Sequence, residues 1–161
     1  MQKYIKSIQR ASRWGLWGSV ALVLLTVAFI YGSPWQFYQS DYTARWMLIA
    51  GTVLAVLSVS MTLLTVRRQV PRLRQSEGLE TKLSGYVAHV RSSYLTMLIV
   101  VFLLCSLTVL SGRSVLLMLA MVSTLVLFLM YPNIYRIKVD LGLTDGEMRQ
   151  LFGDQYISDD A

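Results

Sequence analysis

Cysteine and histidine occur once each in this chain, as Cys105 and His89, and only 15% of the 161 residues are charged. Soluble domains usually carry about 25% charged residues, so much of this surface is expected to face something other than water. One cysteine excludes an internal disulfide and a cysteine-cluster metal site. One histidine leaves a multi-histidine site in need of a second subunit.

The positions that lack charge say more than the total. No Asp, Glu, Lys, Arg or His occurs in 14–31, 46–66, 92–112 or 114–131. These runs are 18 to 21 residues long, and about 20 residues cross the hydrocarbon core of a bilayer as a helix. A buried helix of a soluble protein rarely runs so far without a charged face. Four transmembrane helices are expected. The first run follows Lys3, Lys6, Arg10 and Arg13 and ends in Tyr-Gly-Ser-Pro. It lacks a small-x-small cleavage site and is expected to be a retained signal anchor.

Ionisable groups inside a bilayer are costly and usually functional. Their absence leaves no embedded carboxylate for proton-coupled transport, no histidine pair for haem and no cysteine pair for quinone-linked disulfide chemistry. Phosphoalcohol transfer would need an aspartate cluster at a helix end, and none is present. No catalytic, cofactor-binding or metal-binding residue is assigned, and the reading leans away from an enzyme.

The charges that are present are sorted. Lys3, Lys6, Arg10 and Arg13 precede the first run. Arg67, Arg68, Arg72, Arg74, Lys82 and Arg91 separate the second from the third, and Arg136, Lys138 and Arg149 follow the fourth. Arg45 and Arg113 alone fall in the other two connections. Basic residues near helix ends stay cytoplasmic. Both termini and the central segment are therefore expected inside, in a multi-pass cell membrane protein that suits a bacterial inner membrane. Nucleic acid is not an expected partner, because the basic residues follow membrane sides and no binding motif accompanies them. The connection 33–45 is rich in aromatic residues suited to headgroup depth.

Local patterns divide the chain further. Segment 1–13 is a basic amphipathic tail, with Tyr4, Ile8 and Ala11 on one stripe. Segment 14–66 is a first transmembrane hairpin. Segment 67–93 is basic and amphipathic, with Leu79, Leu83, Tyr86, Val87, Val90 and Tyr94 in steps of three and four. Pro71 is expected to break the helix there and turn the later arginines along the interface. Segment 94–132 is a second hairpin, closed at Gly112, which can supply the positive φ of a helix end. Segment 133–161 is a tail with a short helix, signalled by the capping box Thr144-x-x-Glu147 and the staple positions Leu143 and Met148. The expected fold is all-α: an integral membrane four-helix antiparallel bundle with amphipathic interfacial helices on the cytoplasmic side.

Two sets of residues are singled out. Arg67, Arg68, Arg72 and Arg74 lie where an anionic leaflet attracts each basic residue by about 1 kcal/mol, and anionic lipid headgroups are their expected partner. The acidic Asp154, Asp159 and Asp160 are expected competitors. Gly15 with Ser19, and Gly51 with Ala55 and Ser58, are small faces that let helices pack closely. They would pack within the chain, in a homo-oligomer or on a membrane protein partner. Hydroxyls at Thr52, Ser58, Ser60, Thr62 and Thr65 are expected mostly to bond back to their own helix. The pattern points to a small non-enzymatic membrane protein, an accessory, scaffold or regulatory subunit acting through its basic face. The alternatives are a passive carrier or channel for a small or lipophilic molecule, and an enzyme with Arg67, His89, Asp140 and Asp145 at the rim.

Overall fold

The computed structural model describes residues 2–32, 41–76 and 78–152. Six helices and no strand occur among them: α1 (Gln2–Gly32), α2 (Asp41–Gln75), α3 (Leu79–Ser111), α4 (Ser114–Leu129), α5 (Ile134–Leu141) and α6 (Asp145–Phe152). The aromatic stretch 33–40 and the acidic Asp154, Asp159 and Asp160 lie outside the described residues.

Three helices, α1, α2 and α3, are long and apolar enough to cross a membrane. At 31, 35 and 33 residues they rise about 47–53 Å, against a hydrocarbon core of about 30 Å. Each span therefore continues well past its charge-free run without a break. The fourth run forms a shorter helix. The 16 residues of α4 are followed by α5 at a bend of 76°, and the two reach the length of a span only if taken as one broken crossing.

The central helix is α3, which packs against α1, α2 and α4. Glycine and tyrosine set the α1 contact. A Cβ at Gly15 would meet Tyr94 Cδ1 at 2.6 Å, so the helices approach where that side chain is missing. On the other side, Gly51 of α2 sits over Leu104, Leu107 and Leu116, and a Cβ there would overlap Leu116. The turn between α3 and α4 is closed by Gly112 at φ 65°, whose N–H donates to Thr108 O at 2.9 Å. At this end Arg113 pairs with Asp41 across 3.2 Å, tying the turn to the start of α2.

The other end carries most of the charge and is here called the basic end. The Tyr4 hydroxyl donates to Glu80 Oε1 at 3.1 Å, which sets the start of α1 beside the start of α3. The amphipathic stripes of this end pack against one another. Ile5 and Ile8 of α1, Leu83, Tyr86 and Val90 of α3, Ile137 and Leu141 of α5, and Met148 and Leu151 of α6 bury one another in a common core. Short helices are marginal alone, and this mutual burial holds them in place.

Pro71 is the clearest departure from expectation, because α2 runs through it to Gln75. Proline removes one helical hydrogen bond and crowds the preceding turn. The carbonyl so orphaned belongs to Arg67, at an exposed position. Contacts beyond the proline hold the last turn: Leu73 lies over Gly85 of α3, and Arg74 donates from Nε to Asp140 O at 3.0 Å and from Nη2 to Val139 O.

The capping box forms as its spacing dictates. Thr144 N–H donates to Glu147 Oε2 at 2.8 Å, and Glu147 N–H donates to Thr144 Oγ1 at 3.4 Å. The staple residues Leu143 and Met148 are both buried. The Thr144 N–H, joined by the Thr144 hydroxyl donating to the same Oε2 at 2.9 Å, favours the ionised Glu147, so its pKa falls below the ordinary glutamate value. Helix α5 is bracketed in the same manner. Asn133 accepts from Tyr135 N–H at 2.8 Å, and Gly142 closes the helix at φ 60° with Arg74 lying against it.

Candidate functional site

Two polar stripes face each other at the basic end. On α2 they are Thr62, Thr65, Gln69 and Arg72, in steps of three and four. On α3 they are His89, Ser92 or Ser93, and Thr96, in the same steps. Residues so spaced share one helix face. Between the helices lies a groove of about 640 Å³, completed by Met61, Leu73, Gly85 and Ala88. Ligand sites commonly span about 300–1,000 Å³.

The two walls differ in their hydrogen bonding. Thr62 and Thr65 donate to Ser58 O and Met61 O at 2.8 and 2.6 Å, so those hydroxyls are spent on their own helix. Thr52 and Ser58, farther along α2, do the same. Gln69, Arg72, His89, Ser92, Ser93 and Thr96 have no hydrogen-bond partner among the described residues. His89 is 8% exposed. It precedes the apolar run of α3, and burial lowers its pKa while the charge of Asp140 opposes the shift. The neutral imidazole is the favoured form, so Arg72 supplies the positive charge of the groove.

Behind His89 is a second, smaller cleft of about 20 Å³, lined also by Tyr86, Tyr94, Arg136 and Asp140. That volume holds roughly one water. Its polar groups are committed to one another. The Tyr86 hydroxyl donates to Asp140 Oδ2 at 2.9 Å, Arg136 Nε lies 3.8 Å from the same oxygen, and Arg136 also donates to Leu129 O. The Tyr94 hydroxyl donates to Leu127 O at 3.0 Å. This cluster latches α5 to α3 and to the end of α4.

The four arginines singled out in the sequence separate. Arg67 and Arg68 are exposed and line neither cavity. Arg72 is at the groove, and Arg74 caps the carbonyl end of α5. The small residues are placed inside the chain: Ser19 and Ala55 are buried and Ser58 is half-buried, with Gly15 and Gly51 in the close contacts already described. Of the four rim residues, His89 and Asp140 share the small cleft. Asp145 instead pairs with Lys138 at 2.8 Å, and Arg67 stands apart. No cluster of three or more His, Cys, Asp or Glu side chains forms among the described residues.

The groove was missed in the sequence because Ser92, Ser93 and Thr96 fall inside a charge-free run. The signal was their spacing with His89, set against a matching stripe on α2.

Comparison with protein-family models, curated proteins and solved structures gives no match for this chain. The site itself therefore carries the functional reading.

Proposed function

We propose that the chain is a four-span integral membrane protein with both termini and the 67–93 segment in the cytoplasm. It acts as a non-enzymatic accessory, scaffold or regulatory subunit through its basic face. The supporting observation is that the basic end packs around an apolar core continuous with the spans at Tyr94, Met97 and Leu127, on helices α1, α2 and α3 that run unbroken past their charge-free runs. Arg67 and Arg68 stand exposed directly after the apolar run of α2, where each can gain about 1 kcal/mol from an anionic leaflet. In this reading α4 crosses as a short helix. Its 16 residues rise about 24 Å, a mismatch that bilayer thinning absorbs. His89 and Asp140 meet only in the small cleft of about 20 Å³, where Asp140 is held by Tyr86 and Arg136.

Two measurements test this. Reporter fusions at residues 38, 80 and 160 are expected to read outside, inside and inside. A fusion at 80 reading outside overturns the threading. A photo-crosslinker at the exposed position 75, two turns beyond Arg68 on the same helix, is expected in native membranes to give a discrete protein adduct that Arg67→Glu with Arg68→Glu abolishes. Lipid adducts alone overturn the subunit role.

The groove itself favours a second reading, a passive carrier for a small or lipophilic molecule. Toward the opposite end, however, α2 closes on its neighbours at Gly51 and Ala55. Solute flux in proteoliposomes that stops on filling the groove with Ala88→Trp would establish carriage in place of the accessory role.

A further inference from the structure

We infer that the α2–α3 groove seats the phosphate of an anionic membrane lipid. This rests on the membrane reading above and names a ligand for a particular place within it. Depth is the first argument. Met61, Thr62 and Thr65 of α2, and Ser92, Ser93 and Thr96 of α3, lie within the charge-free runs, whereas Gln69, Arg72, Leu73, Gly85, Ala88 and His89 lie beyond them. The groove thus straddles the boundary where a lipid headgroup sits. From 61 to 73 it runs about 18 Å along α2, enough for a headgroup and the first part of its chains.

Chemistry is the second argument. Most hydroxyls elsewhere in the apolar helices return to their own carbonyls, as at Thr26 of α1, Thr108 of α3 and Ser123 of α4, with Ser60 of α2 an exception among the described residues. Ser92, Ser93 and Thr96 do not. Together with Gln69, Arg72 and the imidazole N–H of His89 they form a set of donors without partners among the described residues. No carboxylate lines the groove. Asp140, behind His89, is held by Tyr86 and Arg136. His89 is buried and Ser93 half-buried, while Gln69, Arg72, Ser92 and Thr96 open onto the groove from exposed positions, and a phosphate oxygen is the acceptor that a guanidinium and a row of hydroxyls would satisfy.

The third argument is construction. Gly85 admits Leu73 where a Cβ would overlap it, and both line the groove together with the small Ala88. A free inorganic phosphate would share the chemistry but would not explain the part of the groove within the apolar runs.

The test uses the full chain in nanodiscs of phosphatidylcholine with phosphatidic acid or phosphatidylglycerol. Bound lipid is counted by native mass spectrometry. Three variants are compared after checking that each is helical and monodisperse. Arg72→Gln is expected to lower anionic-lipid occupancy about tenfold, the loss of one charge-assisted bond. Arg67→Gln removes the same charge outside the groove and is expected to change occupancy less than about twofold. Ala88→Trp keeps every charge, fills the groove and is expected to abolish the bound lipid. Equal effects of Arg72→Gln and Arg67→Gln overturn the site in favour of diffuse attraction. Retention of lipid by Ala88→Trp overturns it as well. Displacement of the lipid by equimolar inorganic phosphate overturns the lipid as the source. Failure here leaves the fusions at 38, 80 and 160 untouched, so loss of this site and loss of the membrane threading are distinguishable.

Discussion

The basic end and the apolar half of the molecule are built with different exteriors. At the basic end Ile8, Leu83, Leu141, Met148 and Leu151 are fully or nearly fully buried, while Arg67, Arg68 and Arg149 face out. In the apolar half Leu104, Leu116 and Leu127 are buried too, but small and hydroxyl side chains join them and large apolar side chains also cover the outside. Ser19, Thr108, Ser123, Ala55 and Ala120 are inside, and Leu25, Leu57, Phe102, Leu125 and Phe128 stand more than half exposed. A protein in water hides its large apolar side chains. Lipid tails are as apolar as leucine, so helices in a bilayer gain instead from close approach at small residues, with hydroxyls satisfied internally. One chain therefore carries two kinds of surface, as expected of a chain in two solvents, and the charge-free runs of α2 and α3 end within the groove between them.

The sharpest way to break this comparison is to shave one leucine from each region. Leu83→Ala opens a cavity in the basic-end core and is expected to lower stability by about 2–5 kcal/mol. Leu125→Ala, on the exposed face of α4, is expected to cost under about 0.5 kcal/mol. Thermal unfolding in a single detergent compares them, and equal losses would mean that the two regions do not differ in solvent. Gly51→Leu tests the small-residue interior of the apolar half. The new side chain would collide with Leu116, and overpacking of this kind is expected to cost about 1–3 kcal/mol. An unchanged unfolding temperature would show that α2 does not rely on close approach there.

Smaller effects probe the edge of the basic-end core. Thr144→Ala removes half of the capping box and is expected to destabilise α6 by about 0.5–2 kcal/mol. Amide exchange of residues 145–152 should quicken while the spans are unaffected. The least effect is acid sensitivity. Because the folded-state pKa of Glu147 is depressed, its contribution is full above the unfolded glutamate value and is lost as pH falls through the folded value. Glu147→Gln should remove that acid-range dependence from α6 exchange.

The parts of this fold legible in the sequence were those with a local cause. Charge-free runs mark the apolar helices, Gly112 marks the α3–α4 turn, and Thr144 with Glu147 marks the start of α6. Helix α5 carried an equally local signal in Asn133 and Gly142, and it went unread between Pro132 and the capping box. What the sequence hid depended on pairs of distant residues. Pro71 persuades locally for a break, but Leu73 on Gly85 and Arg74 on the end of α5 hold the helix together. The amphipathic stripes were visible, but not whether they would meet lipid or one another. The groove was half visible. The hydroxyls of α2 stood out, yet their opposing wall at His89, Ser92, Ser93 and Thr96 exists only once α2 and α3 are side by side.

The contrast between two solvents can be measured directly by labelling single cysteines in nanodiscs with a membrane-impermeant thiol reagent. Cys105→Ser supplies the background, since Cys105 is buried. Gln75→Cys at the basic end and Leu57→Cys in the apolar half occupy positions that are both exposed on the protein surface. The expected result is rapid labelling at 75 and none at 57 until the nanodisc is dissolved in denaturant. Labelling at 57 as fast as at 75 would place both regions in water and contradict the two-solvent reading.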